Sequence, residues 1–300
     1  MLKHNGRGNI AWRVVLALAG VALLLGGLAY STGSDISLLN PKGQIAREQL
    51  RLIKSIVAVF LLVAIPTLTL LYSFAWKYRD TNQKPKRNLD PSHSKFFAPS
   101  MWLIPIAILI VLTSVMWPAT HKLDPHKAID SNIKPLTIQV VALRSKWLFI
   151  YPQQGIATIN FVQIPVDTPV QFDLTADDAP MNSFWIPHLG GQLYAMTGHQ
   201  NRLNLIADTL GDYNGGAAEI NGPGFAGMKF TARASSSQDF DQWVSYAQEV
   251  PGVLDSAEYK KLLVPSENNP VAFYSAVNKT LYAKVLSKYS ASHDKHMEQP

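Results

Sequence analysis

The stretch from Ser55 to Trp76, SIVAVFLLVAIPTLTLLYSFAW, contains no charged side chain. At about 1.5 Å per residue, a helix of this length crosses the ~30 Å hydrocarbon core of a bilayer. A helix of a soluble protein keeps a charged face over such a distance, and this one has none. A second run follows from Phe96 to Thr120, FFAPSMWLIPIAILIVLTSVMWPAT, also uncharged. Pro66 and Pro105 lie inside the two runs, where neighbouring helices can satisfy the freed backbone groups. Trp76, Trp102 and Trp117 stand near the ends, at the depth that amphipathic rings prefer. The two runs predict a transmembrane hairpin.

The segment between the runs sets the orientation. It holds Lys77, Arg79, Lys84, Lys86, Arg87 and Lys95 against only Asp80 and Asp90. Basic loops stay in the cytoplasm, so the outer ends of both helices face the periplasm, and Ile133 to Pro300 lies there too. Upstream, Val14 to Tyr30 is a shorter apolar run preceded by Lys3, Arg7 and Arg13. That order fits either a signal peptide or an uncleaved signal anchor. Gly27 and Ala29 would permit cleavage, and both readings stay open.

Composition excludes several functions. A net charge of +6 and a pI near 9.3 could suit nucleic acid, but many of the basic residues cluster beside the apolar runs. They serve membrane topology, and no nucleic-acid partner is expected. The chain has no cysteine, which rules out disulfides, lipoprotein attachment and thiolate metal sites throughout.

From Ile133 the pattern changes to short strands, at Leu136 to Leu143, Trp147 to Tyr151, Ile156 to Ile164, Val170 to Leu174, Ser183 to Ile186, Arg202 to Ile206 and Met228 to Ala232. Pro165, Pro169, Gly190, Gly191, Gly215 and Gly216 read as turn residues between them. Strands spaced in this way predict an all-β sandwich or Greek-key barrel, with Trp147, Phe149 and Phe172 filling its core. Helical periodicity returns over Asp239 to Val250, Ala257 to Leu263 and Ala276 to Leu286, interrupted by Pro251, Pro265 and Pro270. Ser236 to Ser290 is read as short helices packed on the barrel or on a partner, followed by a disordered polar tail. The resulting organisation is 1–50, signal or anchor segment and linker; 51–120, hairpin; 121–235, periplasmic β-domain; 236–300, helical segment and tail.

No phosphate loop, dinucleotide fingerprint or zinc-protease motif is present. His121 with His126, beside a membrane end, and His293 with His296, in a polar tail, do not have the setting of a metal site. Asp177, Asp178, His188 and His199 share one stretch without a nucleophile or base in a recognisable arrangement, and read as loop and surface groups.

The strings SLLNPKGQIAREQ (37–49), KWLFIYPQQGIATIN (146–160), MNSFWIPHLGGQLYAMTG (181–198) and NGPGFAGMKF (221–230) resemble the quinol-oxidase branch of the heme-copper oxidase subunit II family. The resemblance runs from about Leu38 to the C-terminal helices. It implies a two-helix anchor in the bacterial inner membrane and a cupredoxin-like periplasmic barrel. In the cytochrome c oxidase branch, that barrel holds two coppers through two His, two Cys, a Met and a Glu carbonyl. Carried onto this sequence, the His positions are Asn182 and Phe225 and the Cys positions Ala217 and Asn221. Only Glu219 and Met228 keep the family's residue type.

A carbonyl and a thioether alone do not hold copper tightly. The resemblance therefore implies a subunit with no cofactor of its own, in a complex that oxidises ubiquinol. The hemes, the remaining copper and the proton pump would belong to a partner, subunit I. Three positions depart from the family pattern: no lipoprotein cysteine near Tyr30, Ser145 where a Trp commonly precedes Trp147, and Ala98 where an acidic residue often marks a proton entrance. An independent membrane-anchored periplasmic binding module is the alternative. A copper carrier is disfavoured by the lack of cysteine.

Overall fold

The computed structural model describes residues 26, 36–79, 82 and 97–297. The run from Val14 to Tyr30 and the basic loop therefore lie outside the described residues, apart from Gly26, Lys77, Tyr78, Arg79 and Asn82. The described part falls into two compact units, one containing 51–119 and the other 37–50 with the chain from 120 onward.

Helix α1 spans Gln44–Lys77 and α2 spans Phe97–Lys122. The first begins well before the apolar run, because residues 44–50 pack against the β-domain: Ala46 and Leu50 are buried there. Beyond them, large apolar side chains stand exposed, with Leu62 at 73% and Trp102 at 75%. Such surfaces belong in lipid, and both helices have the length and hydropathy to span it. Pro66 and Pro105 are inside the helices, as is Pro118. Around Pro66 the hydroxyls of Thr67 and Thr69 donate to the carbonyls of Val63 and Ile65, at 2.8 and 2.7 Å. Hydroxyls on a lipid-facing helix are thus satisfied within their own helix. At the loop end, the Arg79 guanidinium lies 4.4 Å from the Trp76 ring.

The periplasmic unit is built from two sheets. One has the order β12-β3-β2-β1-β5-β8, and the other β4-β10-β9-β6-β7. The strands of the first are β1 (Leu136–Leu143), β2 (Lys146–Tyr151), β3 (Ile156–Ile159), β5 (Val170–Ala176), β8 (Asn201–Leu205) and β12 (Ala272–Tyr274). The second contains β4 (Phe161–Pro165), β6 (Asn182–Trp185), β7 (Leu193–Ala195), β9 (Gly211–Ala217) and β10 (Lys229–Ser235). Trp147, Phe149, Phe172 and Phe184 are fully buried between them, as the sequence predicts for the first three. Phe184 stacks on Phe230 at 5.1 Å and meets Trp147 edge-on at 5.3 Å, arrangements favoured by ring quadrupoles.

Two expectations fail here for identifiable reasons. The single strand expected from Ile156 to Ile164 is broken at Asn160, whose φ is 54°. Its side chain accepts from the Trp147 amide at 2.8 Å and donates to the Asn269 carbonyl at 2.9 Å. Asn tolerates this left-handed conformation, and the chain uses it to cross from one sheet to the other. Gly215 and Gly216 are also not a turn; they lie within β9, which the sequence reading missed along with β7. A Cβ on Gly215 would come 2.2 Å from the Phe230 ring, so the glycine exists to admit that ring. Gly215→Ala is expected to cost about 1–3 kcal/mol by overpacking, seen as a lower thermal midpoint. An unchanged midpoint would show that Phe230 has room to move.

The C-terminal segment packs on the barrel. Helix α3 (Ser237–Glu249) is capped by Ser236, whose hydroxyl accepts from the Asp239 amide. Helix α4 (Ser256–Leu262) is capped by Asp255. Lys146, buried in β2, donates to the carbonyls of Leu262 and Val264 at 3.0 and 3.1 Å, closing the C-terminal end of α4. Burial lowers its pKa.

The third expected helix divides. Val253–Leu254 (β11) and Ala276–Val277 (β13) form a short parallel pair, and helix α5 begins only at Leu281. Asn278 causes the delay by accepting from the Thr280 amide and hydroxyl, an Asx turn that competes with helix. Helix α5 then continues to Met297, where a disordered tail was expected. Leu281, Tyr282 and Val285 bury one of its faces against Leu143, Leu148 and Ile150. That apolar contact is too distant in sequence for local composition to reveal.

Candidate functional site

The loops that follow β9 and precede β6 meet at one end of the barrel, and four of the six positions singled out from the sequence are engaged there. The Asn221 side-chain amide donates to the Asn182 side-chain oxygen and lies 3.5 Å from the Met228 sulfur. Asn182 donates onward to the Pro180 carbonyl at 2.6 Å. Asn182 and Met228 are almost fully buried. The Glu219 carboxylate accepts from the Tyr194 hydroxyl, and this hydrogen bond raises the tyrosine's pKa. Ala217 ends β9, its amide donating to the Met228 carbonyl at 3.2 Å. Phe225 opens the 3-10 turn Phe225–Gly227, and is half-buried.

A cleft of about 500 Å³ opens above this cluster, with Asn182 and Asn221 among its lining residues. Ser145, also on the wall, has φ 63° and donates to the Pro223 carbonyl at 3.2 Å. A Trp there would add an indole to the wall.

These residues do not suit copper. Two carboxamides and a thioether are neutral and weakly basic, whereas a dinuclear center needs thiolates and imidazoles to hold and bridge its metals. The polar atoms also satisfy one another: Asn221 serves Asn182, Asn182 serves a carbonyl, and Tyr194 serves Glu219. The cluster is a hydrogen-bonded plug at this end of the barrel.

The other polar residues from the sequence are dispersed. Among the described residues, no group of three His, Cys, Asp or Glu is placed to hold a metal ion. His126 pairs with Asp124 at 3.1 Å, while the side chains of His293 and His296 lie outside the description. His188 is buried and stacks on Tyr213 at 5.3 Å. His199 is exposed, its ring nitrogen 3.1 Å from the Thr197 carbonyl. The Asp178 carbonyl accepts from Arg144 at 2.8 Å.

Asp177 departs most from expectation. Read as a surface group, it is only 2% exposed and accepts from Tyr259, Lys288 and Tyr289, each at 2.7 Å. It anchors α4 and α5 to the barrel. Nothing local in the sequence marks it, since its partners lie 82 to 112 residues away.

Fold and site together define a membrane-anchored, cupredoxin-like periplasmic protein with a cluster of amides at one end of its barrel. Residues 137–234 match the family model for the cytochrome c oxidase subunit II periplasmic domain, and residues 248–293 match the COX aromatic-rich motif. The chain is 48% identical over 272 residues to the cytochrome bo(3) ubiquinol oxidase subunit 2 of Pseudomonas putida, covering 91% of this chain and 86% of that one. It is 34% identical over 264 residues to the quinol oxidase subunit 2 of Bacillus subtilis, covering 87% and 80%. Among solved structures it is similar to the periplasmic domain of cytochrome oxidase subunit II from Bradyrhizobium japonicum, at 20% identity and a TM-score of 0.37 over 45% of this chain and 99% of that one. The chain belongs to the subunit II family of cytochrome bo-type ubiquinol oxidases, the branch without copper in this subunit.

Proposed function

We propose that this chain is the non-redox subunit II of a terminal oxidase that takes electrons from ubiquinol and reduces oxygen to water, coupled to proton translocation. The observation that carries the reading is the Asn182–Asn221–Met228 cluster, which the resemblance assigns to positions of the family's copper ligands. Without a relay in the barrel, electrons from a soluble carrier have no route through this subunit. A quinol can instead reach a membrane partner within the bilayer. The hemes, the copper and the proton pump are assigned to that partner, subunit I, with this chain as its structural and assembly subunit.

The test is to purify the complex in detergent through a tag on this chain, then record its optical spectrum, copper content and oxidase activity. Heme is expected with the complex, together with oxidation of ubiquinol rather than reduced cytochrome c. A colorless preparation would instead favor an independent periplasmic binding module. Stoichiometric copper in the isolated subunit would overturn the reading.

Packing against the partner carries a second expectation. Kinked helices with small side chains favor close approach of neighbouring helices, and Ala64 and Ala107 lie beside Pro66 and Pro105. Ala64→Trp and Ala107→Trp are each expected to lower the heme recovered with the tagged chain several-fold. Full heme content in both variants would mean that these positions face lipid.

A further inference from the structure

Two Asn-Gly pairs lie among the described residues, Asn214–Gly215 and Asn221–Gly222. In such a pair the glycine nitrogen can attack the asparagine side-chain carbonyl, because no Cβ stands in its way. The pairs share one chemistry, and the fold treats them in opposite ways.

Asn214 is guarded by the sheet. The Ala217 amide donates to the Met228 carbonyl, which fixes the ladder between β9 and β10. Bonded pairs recur at every second position, so the next is Gly215 with Phe230. The Thr231 amide, opposite Asn214, bonds instead to the Asn160 carbonyl at 3.1 Å, as the alternation requires. The Gly215 nitrogen is thus committed to the Phe230 carbonyl, in a buried glycine within a paired strand.

Asn221 has no such guard. Gly222 lies outside every strand and helix and is exposed, and its amide donates to no acceptor among the described residues. Its φ is 118°, and a Cβ there would meet nothing within 4 Å, so the peptide has room to turn. The Asn221 carboxamide is engaged only through its nitrogen, toward Asn182 and the Met228 sulfur. Its carbonyl accepts from no described residue, and the residue lines the cleft of about 500 Å³, which admits water.

We propose that Asn221 is a site of spontaneous deamidation and that the modification opens the amide plug. The Gly222 nitrogen forms a bond to Asn221 Cγ, the bond from Cγ to Nδ2 breaks, and ammonia leaves with the glycine's proton. Water then opens the five-membered imide at either carbonyl, giving aspartate or isoaspartate. One water enters and one ammonia departs, with no change of oxidation state. The product carries oxygen where Nδ2 was. Asn182, almost fully buried, loses the donor to its side-chain oxygen and meets an acceptor, which favors separation of the cluster.

The test ages the full chain in its purified complex under warm, mildly alkaline conditions and follows the tryptic peptide Leu203–Lys229, which contains both pairs. Fragmentation mass spectrometry locates the amide-to-acid mass gain, and isoaspartyl methyltransferase labels the isoaspartate product. Conversion at Asn221 is expected to be at least about tenfold faster than at Asn214, whose reaction needs the ladder to open. Unfolding the chain in urea is expected to bring the two rates together. In Asn221→Asp, which mimics one product, hydrogen exchange over 181–185 is expected to rise about tenfold. Equal rates in the folded chain, or no conversion at Asn221, would overturn the proposal. A preference for Asn221 that persists undiminished in urea would assign it to neighbouring sequence and remove the role of the fold. Unchanged exchange in Asn221→Asp would show that the plug survives the modification.

Discussion

Asp177→Ala is expected to release helices α4 and α5 from the β-domain and to lower its thermal midpoint by about 10 °C. The carboxylate is buried and accepts from two tyrosine hydroxyls and the Lys288 ammonium, all at 2.7 Å. Burial and this hydrogen bond together push the Tyr259 hydroxyl well above its ordinary pKa. Lys288 is raised by its bond to Asp177, although it is half exposed and retains some hydration. Alanine would take away the acceptor that Tyr259 and Lys288 share, and breaking a buried ionic contact costs roughly 3–5 kcal/mol. In a domain of this size each kcal/mol moves the midpoint by roughly 2–4 °C.

Asp177→Asn keeps the shape and one acceptor oxygen but turns a donor toward a donor, so an intermediate loss is expected. Thermal unfolding of the full chain measures both variants, and hydrogen exchange over 256–289 locates the change. A midpoint within about 2 °C of the parent for the alanine variant, with exchange unaltered, would show that apolar contacts alone hold the C-terminal helices.

The second large effect concerns the amide plug. We propose that Asn182, Ala217, Glu219, Asn221, Phe225 and Met228 are the remains of a copper site and that the site can be refilled. The substitutions are Asn182→His, Ala217→Cys, Asn221→Cys and Phe225→His. The expected change is from no bound copper to about two coppers per chain, because thiolates and imidazoles replace amides around a retained thioether. The proximity of Asn221 to both Asn182 and Met228 supports this, since three of the six positions already converge. Phe225 is the demanding position: it is half-buried in the turn, and the space it leaves must admit an imidazole. Copper content and the visible spectrum of the full chain decide the outcome. A folded quadruple variant that binds no copper would show that the loop has lost the geometry along with the ligands.

The sequence by itself determined the membrane anchor and its orientation. Uncharged runs, flanking basic residues and the absence of cysteine are properties of contiguous residues or of the whole composition, and they act whatever the chain does elsewhere. The aromatic core was equally legible, because Trp147, Phe149 and Phe172 sit in runs with nowhere else to be buried. The tertiary structure alone decided the rest. Asn160 switches sheets because its side chain reaches the Trp147 amide and the Asn269 carbonyl. Gly215 belongs to a strand because Phe230 needs its space. Asp177 is an anchor because α4 and α5 return to it, and Gly215 is guarded where Gly222 is not because strand register commits only the first amide to a ladder. Each depends on residues brought together from distant parts of the chain, and local pattern carries no information about which side chains will meet.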